Sequence, residues 1–583
     1  MAKTELPFST EDKSGEGKGH IPDNFVQTLP QAYKEVVEKK PFLGEYLQQV
    51  AKTPDGLPEF QPQLSRKLGD AKEPNLIYPT KNENIFVHIQ TDRNDSRNVY
   101  IPIEPALGTD ISNLMKQIEL KLLKLGNNLP RLHDLAEKDK QFLAYVDMVA
   151  SDGSGKDDKT KSGQLSRVTS LLGRNGNFDK LKLPTRELEA IRYMFVREKA
   201  GLGALEPLIS DPYIEDISCS GLGPIFIEHK IFKSLKASVV FSSIEELDDF
   251  VLWLAERVRK PVTYRNPIAD ATLPDGSRIN IVYGKEVSKR GSNFTIRKFS
   301  DVPISIFELI EFGSMTYQML AYLSLVIGNG MNVFVSGETA SGKTTLLNAL
   351  TAFIHPLAKI VTIEDTPELQ VPHKNWCREV VQSSKSEDSS GAVTMFDLLK
   401  AALRQRPNEI MVGEIRGSEG NIAFQAMQTG HSVMATFHAA TVEKLIQRIT
   451  GNPISVPKTY IDNLNVVILT SQVRLPSGKT GRRVTGIAEI VGYDPIYDSF
   501  TFVEIFHWNE AEDVFEFTGY MSSHILENKI APRLGMPSNK KRRIYAELDR
   551  RASILEKLHK EMGVTGFYDV LDVLGKAQRE GYF

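Results

Sequence analysis

Residues 337–344 read Gly337-Glu338-Thr339-Ala340-Ser341-Gly342-Lys343-Thr344, the complete pattern GxxxxGK[ST]. Asn332-Val333-Phe334-Val335 before it is strand-like, and Thr345-Leu346-Leu347-Asn348-Ala349-Leu350 after it is helix-like. A glycine-rich turn between a strand and a helix lets successive backbone N–H groups converge on phosphate oxygens. The following helix points its positive N-terminal end at them. In this reading Gly337 to Thr345 hold nucleotide, Lys343 reaches the β- and γ-phosphates, and Thr344 supplies a hydroxyl to Mg²⁺.

Such a loop needs carboxylates downstream. Ile410-Met411-Val412-Gly413-Glu414 is an apolar strand ending in a carboxylate, and Ile360-Val361-Thr362-Ile363-Glu364-Asp365 is a second. The first is expected to lie beside the phosphate-loop strand and to deliver Glu414 to Mg²⁺ or to the attacking water. His431 and His438 flank the strand-like run Ser432 to Phe437. Beside a phosphate loop, two such histidines can sense a γ-phosphate through a hydrogen bond. Metal ligation is the competing reading, and no third ligand is evident.

The rest of the chain sets the frame. Its 583 residues are 41% hydrophobic and 25% charged, with a net charge of −3. That length suggests three to four domains. The near-neutral balance speaks against a dedicated nucleic-acid binder. The two cysteines, Cys219 and Cys377, are too few for a thiolate zinc site and read as reduced thiols in a cytosolic protein. The polar N-terminus has no apolar core of a signal peptide. Met319 to Ile327 is too short to span a bilayer, so membrane contact is expected to be peripheral only.

Residues 1–20 read as a disordered tail. Residues 21–150 read as an α+β domain, with a strand at Ile85 to Ile89 and a helical stretch over 110–149. Residues 151–170 read as a linker. Residues 171–302 read as a second α+β domain, in which Thr185 caps a helix carrying Leu188, Ile191 and Phe195 on one face. Strand-like runs follow at Pro224 to Ile227, Ser238 to Phe241 and Ile279 to Val282. Residues 303–520 alternate apolar strands with helices, the pattern of a mainly parallel sheet covered by helices. Residues 521–583 are helical, with Ile544, Leu548, Leu555, Leu558 and Met562 on one face and Gly563 at the end.

These segments together resemble the type II/type IV secretion ATPase superfamily. GETASGKTT at 337–345 is similar to its Walker A, and IVTIEDTPEL at 360–369 to its aspartate box. LRQRPNEIMVGEIRGSE at 403–419 is similar to its Walker B segment, and TGHSVMATFHA at 429–439 to its histidine box. Upstream, GLGALEPLISDPYIEDI at 201–217, DATLPDGSRINI at 270–281 and NFTIRKF at 293–299 resemble its second N-terminal domain. Within the superfamily RRVTGIAEIVGYD at 482–494 and the helical extension at 530–583 resemble the archaeal branch, which builds pili and archaella. Bacterial secretion members often carry a tetracysteine zinc insert, which is not found here. Gly417 follows Arg416 where many members have Asp.

The resemblance implies a multidomain α/β fold. A RecA-like P-loop ATPase domain follows a PAS-like α+β domain and a further N-terminal α+β domain, with a flexible linker near 300–305. It implies a homohexamer that hydrolyses ATP with Mg²⁺. The ring would be cytoplasmic, lying against the inner face of the membrane and a polytopic platform protein. It makes Glu414 the Walker B glutamate, Glu364 the candidate base for water, and His438 the candidate sensor. Arg278 and Arg297 become candidates for charge-neutralising arginines donated across a domain or subunit boundary, with ordinary structural pairing as the alternative. No nucleic-acid partner is expected. The competing function is a nucleic-acid translocase or DNA-transfer ATPase of RecA type, and a third is a P-loop scaffold that holds ATP without turnover.

Overall fold

The computed structural model describes residues 3–4, 23–65, 68–69, 71–93, 95–105, 111–125, 138–153, 180–299, 302–382 and 393–583. Contacts divide the chain into two units, Met1–Ser300 and Asp301–Phe583.

The strands of the first unit are β1 (Lys3–Thr4), β2 (Glu59–Phe60), β3 (Asn75–Pro79), β4 (Phe86–Gln90), β5 (Val99–Ile103), β6 (Ala150–Asp152), β7 (Leu181–Leu183), β8 (Ile214–Cys219), β9 (Gly223–His229), β10 (Lys233–Phe241), β11 (Ile268–Thr272), β12 (Arg278–Val282) and β13 (Asn293–Arg297). All but β6 and β7 join one sheet, in the order β11-β12-β13-β8-β9-β10-β5-β4-β3-β2, with β1 on β10. The two α+β segments read from the sequence therefore share a sheet: β5 runs parallel to β10 through Val99↔Lys236 and Tyr100↔Ala237. A common apolar core crosses the same join, with Leu76, Tyr78 and Ile89 packed in one cluster with Ile217, Ile227 and Phe294. Asp211, fully buried, accepts hydrogen bonds from the hydroxyls of Tyr78 (2.6 Å) and Tyr100 (3.0 Å). A buried carboxylate without such donors would be costly, so these bonds fix the join as well as permit it.

Local expectations meet the structure unevenly. The helix Thr185–Lys199 buries Leu188, Ile191 and Phe195. Thr185 is its first residue rather than its cap; Pro184 holds the cap position, and the Thr185 hydroxyl bonds Asp152 at 3.0 Å. Ser151 and Asp152 belong to β6. The remaining linker residues, 154–170, lie outside the described residues, as do residues 5–20 of the tail and 300–301 of the hinge.

The second unit carries β14 (Val333–Gly337), β15 (Ile360–Glu364), β16 (Trp376–Val380), β17 (Glu409–Val412), β18 (Ser432–Phe437), β19 (Val466–Arg474), β20 (Thr480–Asp494), β21 (Ser499–Asn509) and β22 (Val514–Glu516). Their order is β16-β15-β17-β18-β14-β19-β20-β21-β22. The pairs from β16 to β19 are parallel, and those from β19 to β22 antiparallel. Every residue of β14, β15, β17 and β18 is buried, as expected where helices cover both faces of a parallel sheet. Alternate side chains feed opposite cores. Val333 and Val335 pack with the helix Tyr317–Gly328, whereas Phe334 packs with Ile363, Val412 and Phe437 on the other face.

This order corrects one expectation. The strand before Glu414, β17, does not lie beside the phosphate-loop strand β14, because β18 is inserted between them. Motif order along a chain carries no information on strand order within a sheet. The C-terminal helix Arg543–Lys560 buries Ile544, Leu548 and Leu555 as its periodicity predicts, while Met562 lies beyond its end and is exposed. Within the basic run Asn539 to Arg543, Lys541 and Arg542 pair with Glu527, at 3.0 and 3.9 Å.

Candidate active site

In a parallel sheet the chain leaves every strand at the same edge. Gly337 ends β14 and Glu364 ends β15, while Glu414 follows β17 and His438 follows β18. The motifs found far apart in sequence thus meet along one edge.

The loop between β14 and the helix Lys343–Leu350 is tightly determined. Gly342 caps the helix with φ +92°, a conformation that favours glycine. A Cβ on Gly337 would stand 2.2 Å from the Thr470 carbonyl oxygen and 2.7 Å from its hydroxyl. The neighbour is backbone and cannot move aside cheaply. Gly337→Ala is expected to destabilise the unit by about 1–3 kcal/mol, the range for overpacking, and to weaken nucleotide binding. Thermal unfolding and ATP titration read the two effects, and wild-type values in both would show that the site has slack. Thr470 also bonds the loop, its Oγ1 lying 3.0 Å from Ser341 Oγ and 3.3 Å from Ser336 O.

Lys343 donates to the carbonyl oxygens of Gly337 (3.0 Å) and Glu338 (2.7 Å). Desolvation lowers its pKa, and the nearby Glu414 charge acts in the opposite sense. Thr344 and Thr345 follow it in the first helical turn, each half-buried. Glu338, Thr339 and Ala340 are exposed at the loop crest.

The two carboxylates have opposite characters. Glu364 is buried, and its Oε1 accepts the backbone N–H groups of Glu368 and Leu369, both at 2.7 Å. Its Oε2 has no hydrogen-bond partner, with Arg378 Nε at 3.6 Å. Burial pushes this carboxyl up to about 7, against the lowering effect of the two backbone bonds and of Arg378. Gly413 makes room for it: a Cβ there would lie 3.2 Å from Glu364 Cγ. Glu414 is half-buried, which by itself raises its pKa, but the Arg416 hydrogen bond (2.7 Å) and the charges of Arg416 and Lys343 hold it below the ordinary carboxylate value. The fold thus holds the Glu364 carboxyl near neutrality and keeps the Glu414 carboxylate ionised.

His438 Nε2 lies 3.2 Å from Thr339 Oγ1, so the candidate sensor touches the loop. His431 does not join it. It lies at the opposite end of β18, where its Nδ1 is 3.1 Å from Thr429 Oγ1. Asp365 is 3.9 Å from Arg416. Arg278 and Arg297 belong to the first unit, where they stand directly opposite each other across β12 and β13; Arg297 pairs with Asp216 at 3.8 Å. Arg416, Gly413, Thr470 and Arg482 were given no role from the sequence. Arg416 and Gly413 adjoin Glu414 within the motif; the other two had no signal until the sheet placed them. Among the described residues, no group of three or more His, Cys, Asp or Glu is placed to hold a metal ion, and no helix is long and apolar enough to cross a membrane.

The family described as Type II/IV secretion system protein matches residues 198–479, a span that includes part of both units. A type IV secretion system protein VirB11 of Bartonella quintana is 30% identical over 253 residues, covering 38% of this chain and 70% of that protein. An uncharacterized protein of Methanocaldococcus jannaschii is 41% identical over 556 residues, covering 94% of this chain and 97% of that one. Among solved structures, the VirB11 ATPase of the Brucella suis type IV secretion system is 25% identical over 50% of this chain and 95% of its own, with a TM-score of 0.26. The chain belongs to the type II/type IV secretion ATPase superfamily.

Proposed function

We propose that the protein is a Mg²⁺-dependent ATPase that works as a ring of six copies and powers assembly of a type IV pilus-like filament, or secretion, through a membrane platform protein. The observation that carries this reading is the convergence of Lys343, Glu364, Glu414 and His438 on one edge of the parallel sheet. Family membership supports the coupling to a secretion or pilus machine. The near full-length match to the Methanocaldococcus jannaschii relative supports the archaeal branch. In this reading the second unit is a RecA-like motor, residues 171–302 are PAS-like, and residues 21–150 form a further α+β element sharing their sheet. The ring would sit in the cytoplasm, peripherally on the membrane's inner face.

Mg²⁺ fits the donors present: the Thr344 hydroxyl and the ionised Glu414 carboxylate are hard oxygen ligands. The ion supplies neutralisation of phosphate charge. The chain's own groups do the rest. Lys343 leaves the carbonyls of Gly337 and Glu338 to meet phosphate oxygens, Glu364 Oε2 takes a proton from water, and His438 reports loop occupancy through Thr339. Arg278 and Arg297 stand opposite each other across β12 and β13, with Asp216 3.8 Å from Arg297. Both lie outside the unit with the phosphate loop, so they would act by donation to it.

The test mixes two inactive variants, Arg278→Ala and Lys343→Ala. Some interfaces of a mixed ring join an intact loop to an intact arginine, so activity should recover. Specific activity should also rise with protein concentration and be indifferent to added DNA. Full, concentration-independent activity of a monomer, or strong stimulation by DNA, would overturn this reading.

A further inference from the structure

Arg482 and Arg483 are adjacent on β20 and do opposite things. Arg483 is buried, and its guanidinium grips both carboxylate oxygens of Asp513, at 2.7 and 2.8 Å, and the Phe312 carbonyl at 2.9 Å. Asp513 is fixed in turn by the Trp508 indole N–H at 2.9 Å. Arg482 is exposed, points away from that anchor, and donates its Nε to the backbone carbonyl of Ala340 at 2.9 Å. Its aliphatic stem lies over the next turn of the loop, where a Cβ on Gly342 would be 3.3 Å from Arg482 Cδ.

The residue it holds is unusual. Ala340 has φ +62°, a left-handed conformation that residues with a Cβ rarely adopt and that persists only where the surroundings impose it. Its peptide sits at the crest of the phosphate loop, directly before Ser341-Gly342-Lys343. Binding phosphate requires the N–H groups here to face the ligand, and therefore the Ala340 carbonyl to face away. A carbonyl turned outward needs a donor outside the loop, and Arg482 is that donor. The strand register supplies the aim. Leu469 pairs with Gly486 but Thr470 pairs with Val484, so β20 carries an extra residue, Thr485, just where Thr470 and Arg482 reach the loop. Irregularities of this kind re-aim side chains beside functional sites.

We propose that Arg482 is a positioning residue of the nucleotide site: from β20 it locks the Ala340 carbonyl outward and so holds the phosphate loop in its binding shape before ligand arrives. The inference rests on the reading of 337–344 as a nucleotide site. Arg482 acts through Ala340 and does not itself touch phosphate. It also makes the antiparallel half of the sheet, which carries none of the four motifs, part of the ATP-binding apparatus.

The test uses the full-length protein and ATP with Mg²⁺ as the probe. Arg482→Ala should weaken ATP binding about tenfold, the size of one charge-assisted hydrogen bond, with little change in thermal unfolding because the side chain is exposed. Adding Ala340→Gly to Arg482→Ala tests the route. Glycine accepts positive φ without the Cβ penalty, so the double variant should recover most of the lost affinity. Unchanged affinity in Arg482→Ala overturns the proposal. A loss that Ala340→Gly does not rescue also overturns it, because Arg482 would then act on phosphate directly or through general folding. Wild-type and Lys343→Ala proteins run alongside: no ATP binding by wild type would defeat the nucleotide reading itself, whereas wild-type binding isolates the question to Arg482.

Discussion

Replacing Lys343 by alanine is expected to lower ATP turnover by roughly 10²–10³-fold, the scale of removing one preorganised donor from a developing charge. Its amine is the cation that the fold places inside the loop, where it is partly desolvated and held by the carbonyls of Gly337 and Glu338. Those two bonds carry a further consequence. Truncation leaves both carbonyls without this donor, so the empty loop should also become less ordered, and the defect should appear in ATP affinity as well as in turnover. Measuring kcat and ATP Kd together checks both. Retained turnover in the purified variant would remove the phosphate-loop assignment and the proposed function with it.

The reach of the sequence followed the physics of each feature. The buried parallel strands were legible because burial on both faces demands continuous apolar runs, as in Val333-Phe334-Val335 and Ile360-Val361. The edge where the motifs meet was legible because each run is followed or ended by a charged or glycine residue at its C-terminal end. Strand order was not, since hydrogen bonding between β14 and β18 depends on packing of whole helices, and so Glu414 was set one strand too close. The first unit hid its unity for a related reason. β5 and β10 pair across an intervening stretch that contains the run 151–163, which has no large apolar residue, so composition suggested a boundary where the sheet continues. Thr185 looked like a cap because Pro184 also starts helices well, and only geometry separates the two roles. Arg482 was beyond any pattern: its partner Ala340 is 142 residues away, and a single exposed guanidinium carries no periodicity.

Those limits bear on how the two carboxylates divide their labour. Their sequence contexts are alike, each following an apolar strand, yet the fold gives them unlike surroundings. Glu364 is buried, with one oxygen accepting two backbone N–H groups and the other without a hydrogen bond, 3.6 Å from Arg378 Nε. Glu414 is half-open and held ionised by Arg416 and Lys343. In the proposed mechanism the base for water would need a pKa near the working pH and an oxygen without a hydrogen bond, and Glu364 has both. In the proposed mechanism a partner for Mg²⁺ would need permanent charge, which the lowered pKa of Glu414 supplies.

Glu414→Gln keeps the shape and removes the charge. It should therefore leave ATP bound while slowing hydrolysis by roughly 10²–10⁴-fold, the range for losing a positioned acid–base or charge partner. With its carboxylate gone, Arg416 loses its charged partner and should turn toward Asp365, already 3.9 Å away. The pH profile separates the two glutamates. If Glu364 is the base, wild-type turnover rises with pH as its carboxyl, pushed up to about 7, gives up its proton. Glu414→Gln should keep that inflection at a much lower rate, because the titrating group is still present. Glu364→Gln should abolish the inflection. Loss of ATP affinity in Glu414→Gln with normal turnover per bound ATP would make Glu414 a structural residue. An inflection that disappears in Glu414→Gln but survives in Glu364→Gln would exchange the two roles.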